Sequence, residues 1–353
     1  MSHKPQPVYF YIPKKNWADD LSGNIDKDWY LLIKKYGTLT TSWIVQTYLN
    51  LKNNNFPCKA ISELSQDGII LACKSDLPDK IRISSSSFIV CVKADQRQHL
   101  FSPYHIVQNP FNYLLRKDKK NSSSYYMLHW PQPGLVSRDP NRGDKFENIA
   151  FFGDIRYNLA AELGGALWKE SLSSLGLNWI VIDQTQIAKW NDYSYIDAIV
   201  AVRSFDKRRY DSKPASKLYN AWHAGVPAIL GPESAYKAER KSELDYIEVQ
   251  YLKEAIEAIK RLKNDKEFRN RMVENGRIRA KETEKAEIIK RWEHFLTEIA
   301  PPAYERWRAM PDFKRKSFLL SRFLNYKTEG LMIRLKRIFL RRTNYSGNTG
   351  LPW

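Results

Sequence analysis

Residues 211–236, DSKPASKLYNAWHAGVPAILGPESAY, hold a helix, a sharp stop, a strand and a small polar loop in direct succession. Residues 217–224 are helical and end at Gly225, and residues 226–230 form a short apolar run that opens into GPESAY. A helix that runs at once into a fully apolar strand is the unit of a parallel sheet covered on both faces. Outward from this stretch the same alternation continues. Upstream, NIAFF (148–152), NWIVI (178–182) and DAIVAV (197–202) are strands, and 158–175 is an amphipathic helix. Downstream, 251–275 reads as one long helix with Leu252, Ala255, Ile256, Ile259 and Leu262 on a face and Gly276 as its C-cap. Residues 280–299 read as a further, highly charged helix.

The first part of the chain repeats the layout without repeating the sequence. Residues 8–12, 68–73, 87–92 and 105–108 are apolar runs, and 42–51 has helical spacing. Between the two parts, PQPGLVSRDPNRGDK (131–145) has three prolines, two glycines and no apolar period. The expected organisation is therefore an α/β unit over 1–130, a linker over 131–147, a second α/β unit over 148–299, and a crossover helix with a basic amphipathic tail over 300–353.

Composition narrows the function classes. The chain has 353 residues and a net charge of +18. Residues 1–145 carry 20 Lys/Arg against 12 Asp/Glu, residues 303–353 carry 12 against 3, and the middle is nearly neutral. A polyanionic partner is expected to meet the two ends. In KSFLLSRFLNYKTEGLMIRLKRIFLRR (316–342), short apolar groups alternate with Arg and Lys, a pattern of membrane-surface helices. No run reaches the length of a spanning helix. The three cysteines, Cys58, Cys73 and Cys91, lack metal-type spacing and sit among apolar residues. Reduced thiols in a cytoplasmic protein, peripheral on the inner face of the plasma membrane, are the expectation.

Ligands of open parallel sheets bind beyond the carboxyl ends of the strands. In the second unit those positions are Gly153 and Asp154, Asp183, Arg203, and the loop from Gly231 to Tyr236, which includes Glu233 and Ser234. Lys213 and Lys217 flank Pro214 at a helix start, where two cations oppose the helix dipole unless an anion lies between them. Together these groups describe a phosphate site. His99, His105, His129 and His223 lack ligand spacing and read as structural, with no metal site expected.

The pattern K-P-A-S-K-L-Y-N-A-W-H-A-G-V-P-A-I, preceded by NIAFFGDIR (148–156) and YSYIDAIVAVR (193–203), resembles the donor domain of GT-B-fold glycosyltransferases of the family 1/4 type. The resemblance implies two Rossmann-like domains facing a cleft, and transfer of a sugar from a nucleotide-sugar donor to a glycan or lipid-linked acceptor. It implies that Arg203 and Lys217 neutralise the donor diphosphate. Lys213, Glu233, Ser234, Tyr236 and the backbone at Gly153 then complete the site. Asn220 stands where many retaining members carry the second Glu of an E-x7-E pair, and Ser212 falls near the place of the first. Asp19 and Asp20, in the loop after the first strand, are the positional candidates for a general base. No cofactor is implied, because the nucleotide-sugar is a substrate. The alternative is a non-catalytic α/β protein that holds a polyanion. A nucleic-acid partner is not expected, since the middle is neutral and no nucleic-acid motif appears.

Overall fold

The computed structural model describes residues 6–14, 21, 23–64, 66–78, 87–117, 123–206, 208–318, 320–324, 327, 328 and 331. Asp19, Asp20 and the tail from 332 onward lie outside the described residues. Two parallel sheets are present. The first contains β1 (Val8–Tyr11), β2 (Cys58–Ile61), β3 (Gly68–Cys73), β4 (Ser87–Val92), β5 (Tyr104–Val107) and β6 (Ser124–Tyr126), in the order β2-β1-β3-β4-β5-β6. The second contains β7 (Asn148–Phe152), β8 (Asn178–Ile182), β9 (Ala198–Ala201), β10 (Ala228–Leu230) and β11 (Ile247–Glu248), in the order β11-β10-β9-β7-β8. Every pairing is parallel.

Both sheets are covered on two faces, which is why their central strands are apolar at consecutive positions. In β3, Ile69, Leu71 and Cys73 join the larger cluster of the first unit, and Ile70 and Ala72 join the smaller one behind the sheet. In the second unit, Ala150 and Phe152 face one cluster and Ile149 faces the other.

Four sequence expectations change. The helix expected over 158–175 starts at Ala166, because the Ala160 N–H is tied to the Val202 carbonyl at 2.7 Å and the chain runs extended there. The long helix expected over 251–275 is two, Leu252–Asn264 and Lys266–Ala280. Asp265 breaks it by capping the Phe268 N–H. Gly276 is no cap. It lies inside the second of these helices, where a Cβ would stand 3.1 Å from Trp222 Cδ1, so the bare backbone lets Trp222 approach. The crossover also begins earlier than residue 300. The helix Lys285–His294 and its continuation place Ile288, Trp292, Phe295, Tyr304 and Trp307 in the core of the first unit. Their apolar spacing matches the sheet face that the first unit's own helices leave open.

The expected linker is ordered. Asp197 is buried and accepts from Arg138, Arg142 and the backbone N–H groups of Glu147 and Asn148. Burial opposes the carboxylate, but these bonds and the two guanidinium groups hold its pKa below the ordinary value. The second half of the linker is thereby pinned to the second sheet. Beyond Ala309, helical stretches over 312–318 and 320–324 continue along the first unit. There Phe318 packs on the core and the buried Arg322 donates to the Ser102 carbonyl. Among the described residues no helix is long and apolar enough to cross a membrane.

Candidate active site

A cavity of about 220 Å³ opens at the carboxyl ends of the strands. The second unit supplies Phe152 and Gly153 after β7, Trp190 and Tyr193 after β8, and Ser216, Lys217 and Asn220 from the helix Ser216–Ala224. The first unit supplies Trp29 and Ile33 from the helix Ile25–Tyr36, and Thr38, Thr41, Ser42 and Gln46 from the segment that follows. That segment contains a π-turn, Thr41–Val45, a local irregularity often found at functional sites. The connecting residues His129 to Pro133 form the remaining wall.

Lys217 is the cation of this cavity. Its ammonium lies 5.5 Å from the Phe151 ring centroid and has no hydrogen-bond or ion-pair partner among the described residues. Gly153 makes room for it. At φ +135° the backbone favours glycine, and a Cβ would meet Lys217 Nζ at 3.3 Å. Burial, followed by the nearby Arg203 and Lys213 charges, lowers the Lys217 pKa to about 7, with Glu233 acting in the opposite sense. A cation held in this way gains most when an anion arrives.

Of the residues singled out by sequence, Gly153, Asp154, Lys217 and Asn220 line this cavity together, and Asp183, Arg203, Lys213, Glu233, Ser234 and Tyr236 are not among its lining. Asn220 accepts the Gln132 N–H at 2.9 Å, so it fixes the connecting segment against the helix. Arg203 is buried and spent on Glu233, with Nε 2.7 Å from Oε2, and it also donates to Asn158. Lys213 pairs across the cleft with Asp95. The Ser234 N–H donates to the Arg209 carbonyl at 2.8 Å, and its hydroxyl accepts from Asn109 at 3.0 Å. Tyr236 is fully buried against Tyr246. In the loop after β10, Glu233 Oε2 and the N–H and hydroxyl of Ser234 are therefore engaged within the protein, while Glu233 Oε1 and the Tyr236 hydroxyl are buried without a hydrogen-bond partner among the described residues.

The loop after β5 bridges the two units. Gln108, Asn109 and Asn112 are buried, and their side-chain amides donate to the carbonyls of Ser212, Lys213 and Asp211. Every one of these bonds runs from the first unit to the second.

His129, read from sequence as structural, stands in the wall of the cavity. Its Nδ1 lies 2.6 Å from the Trp130 carbonyl, which can only accept, so the proton sits on Nδ1 and the Nε2 lone pair is left available. Burial lowers its pKa below the ordinary histidine value, and the Lys217 charge adds to the effect. Trp43 meets the ring edge-on at 5.0 Å. Nothing near His129 in sequence signals this placement except its position next to the connecting segment.

No protein-family model matches the sequence, and no curated protein matches it. Solved structures do match. Sucrose-phosphate synthase from Thermosynechococcus elongatus superposes with a TM-score of 0.51 at 12% identity, over 84% of this chain and 100% of that one. HepE of Anabaena, solved in complex with UDP, gives 0.48 at 9% identity, over 83% and 100%. TarM gives 0.48 at 9% identity over 72% of this chain, which spans 58% of the length of TarM. The chain has the GT-B fold, with two Rossmann-like units facing a cleft and a helical C-terminal part.

Proposed function

We propose that the protein is a glycosyltransferase that moves a sugar from a nucleotide-sugar donor to a glycan or lipid-linked acceptor. The observation that carries this reading is the unpaired Lys217 ammonium in the cleft cavity, with Gly153 left open above it. The motif over 211–236 and the fold support it. The donor diphosphate lies against Lys217 at the start of the helix Ser216–Ala224, where the helix dipole adds to the attraction.

The chemistry is a displacement. The acceptor hydroxyl gives its proton to His129 Nε2 while its oxygen bonds to the anomeric carbon. The bond from that carbon to the diphosphate breaks, and the electron pair leaves on the phosphate oxygen. Lys217 meets the charge as it develops, which is the electrostatic term that catalysis favours most. His129 is neutral at pH 7 and so is ready to accept. One displacement inverts the anomeric carbon. Trp29, Trp130 and Trp190 give the cavity apolar walls for a sugar ring.

The acceptor side faces a membrane in this reading. Phe313, Leu320, Phe323 and Leu324 are exposed on the helical stretches after residue 311, beside Lys314, Lys316 and Lys327. Of the apolar groups at 331–340, only Leu331 is among the described residues, and it is exposed.

Thermal unfolding of the full chain with UDP, GDP and other nucleotides, against a short DNA duplex, tests the reading. Ligands that bind only the native state raise its stability by mass action. At least one nucleoside diphosphate is expected to raise the midpoint, and the duplex to leave it unchanged. The reverse result would replace the transferase with a polyanion-binding protein.

A further inference from the structure

A second cation is buried without compensation on the other side of the cleft. Lys93 follows β4 directly and is 1% exposed. Its ammonium has three N–H donors, and its one hydrogen-bond partner among the described residues is the Ala94 carbonyl at 3.3 Å. Burial lowers its pKa to about 8, with Asp95 resisting the change, so it remains largely charged at neutral pH. Ala94 has φ +48°, a left-handed conformation that strains a non-glycine residue. Such strain gathers where a chain clamps a ligand.

Lys93 lines a cavity of about 310 Å³ between the two units. Asp95 and Asp211 also line it, and each is already engaged by a cation of the second unit, Lys213 and Arg209 respectively. Arg97 adds a further positive charge to the wall, and Gln96 adds an amide. The cavity shares no residue with the one around Lys217. Lys93 therefore combines three properties: burial, unsatisfied donors, and a cavity whose carboxylates are taken. A desolvated ammonium in that position lacks an anion.

We infer that the Lys93 cavity binds a carboxylate or phosphate group carried on a sugar, and that this group belongs to the acceptor. The second half of the inference rests on the transferase reading. The first half does not. The site lies at the strand ends of the first unit and is closed by Asp211 and Ser212 of the second, so an acidic sugar held there enters the cleft between the two units.

The experiment measures binding of glucuronate, glucose 6-phosphate and glucose to the full chain by calorimetry, together with UDP. The parent protein binds at least one of the two anionic sugars more tightly than glucose, and which one binds separates carboxylate from phosphate recognition. Lys93→Met weakens that binding by about tenfold or more, and Lys93→Arg retains part of it. Lys260→Met, at a surface position of the helix Leu252–Asn264 that lines neither cavity, changes it by no more than about twofold. Lys93→Met melts at or above the parent temperature, because it removes a buried charge that makes no direct ion pair among the described residues. Failure of both anionic sugars to bind the parent protein overturns the site. So does equal binding by Lys93→Met. If UDP binds but no anionic sugar depends on Lys93, the inference falls and the transferase stands. If an anionic sugar depends on Lys93 and no nucleotide binds, the site stands and its assignment to an acceptor falls with the transferase.

Discussion

Lys217 carries two opposed demands. The folded chain disfavours its charge, and the proposed donor requires it. Its pKa of about 7 means that the free protein loses this cation as pH rises through 7. Affinity for a nucleoside diphosphate is then expected to fall above that pH, and kcat/KM with it. Bound diphosphate stabilises the ammonium, so the alkaline limb of kcat lies higher. His129, below its ordinary value, places the acid limb below about 6.5. Stability moves the other way. An unfolded lysine keeps its proton up to about pH 10.4, so from 7 upward the unfolded chain binds more protons and the Lys217 contribution to stability grows with pH. UDP titrations across pH 6–9 check this, and an affinity independent of pH would remove Lys217 from the donor site. Lys217→Met should weaken UDP binding by roughly ten- to a hundredfold, the value of about 1.5–3 kcal/mol for a bond to a charged group. Gly153→Ala should produce a loss of the same kind without touching the charge. Its Cβ would crowd Lys217 Nζ, and φ +135° strains any side chain. A Gly153→Ala protein with parental UDP affinity would show that the ammonium sits elsewhere when ligand is bound.

At the scale of elements, the loop after β5 works as a latch. A cavity of about 220 Å³ is smaller than the roughly 300–1,000 Å³ of ordinary ligand sites. In the proposed function the two units part to admit a nucleotide-sugar, and the amides of Gln108, Asn109 and Asn112 hold them together in its absence. Asn109→Ala leaves the Lys213 carbonyl and the Ser234 hydroxyl without their donor, at a cost on the order of 1–3 kcal/mol. The variant should melt earlier and yet associate with UDP faster in stopped-flow measurements. Slower association, or an unchanged rate with lower stability, would show that the latch is only structural. Strands β3, β4 and β7 were legible because both faces of the sheet are buried there, and their bounds are the same in sequence and structure. The edge strand β8 keeps its bounds through its apolar run NWIVI. Strands β2 and β11 were not legible. They lie at sheet edges, half-buried, and carry no continuous apolar run. The site divides along the same line. Gly153 and Lys217 follow from local backbone signals, and Asn220 from the family resemblance. The pairing of Arg203 with Glu233 joins residues 30 apart, and that of Lys213 with Asp95 joins residues 118 apart, distances over which one sequence carries no register. His129 gains its place only when the two units close on the connecting segment.

For the molecule as a whole, the charge arithmetic and the crossover act together. The helix Lys285–His294 returns the chain to the first unit, and the stretch ending at residue 324 stays there through Phe318 and Arg322. The described basic residues of 303–331, Arg306, Arg308, Lys314, Arg315, Lys316, Arg322 and Lys327, therefore stand on the same half as the first unit, and the nearly neutral unit forms the other. Phe313, Leu320, Phe323 and Leu324 add an exposed apolar edge to the charged half. In the proposed function this face docks on an anionic leaflet. Each Lys or Arg near the surface contributes about 1 kcal/mol, so a handful gives reversible attachment. The Debye length of about 8 Å at physiological ionic strength makes that attachment sensitive to salt. Docked in this way, the first unit presents its strand ends to an acceptor at the membrane, and the second remains open to soluble donor. Co-sedimentation with anionic and neutral vesicles, comparing the full chain with a chain ending at residue 326, measures the tail directly. The full chain should pellet with anionic vesicles and be released by added salt, and the shortened chain should pellet less. A quadruple change of Phe313, Leu320, Phe323 and Leu324 to Ser separates the apolar edge from the charge, because it leaves every Lys and Arg in place. If that variant and the shortened chain both bind as the full chain does, or if neutral vesicles serve equally well, the tail has no part in bringing the enzyme to its acceptor.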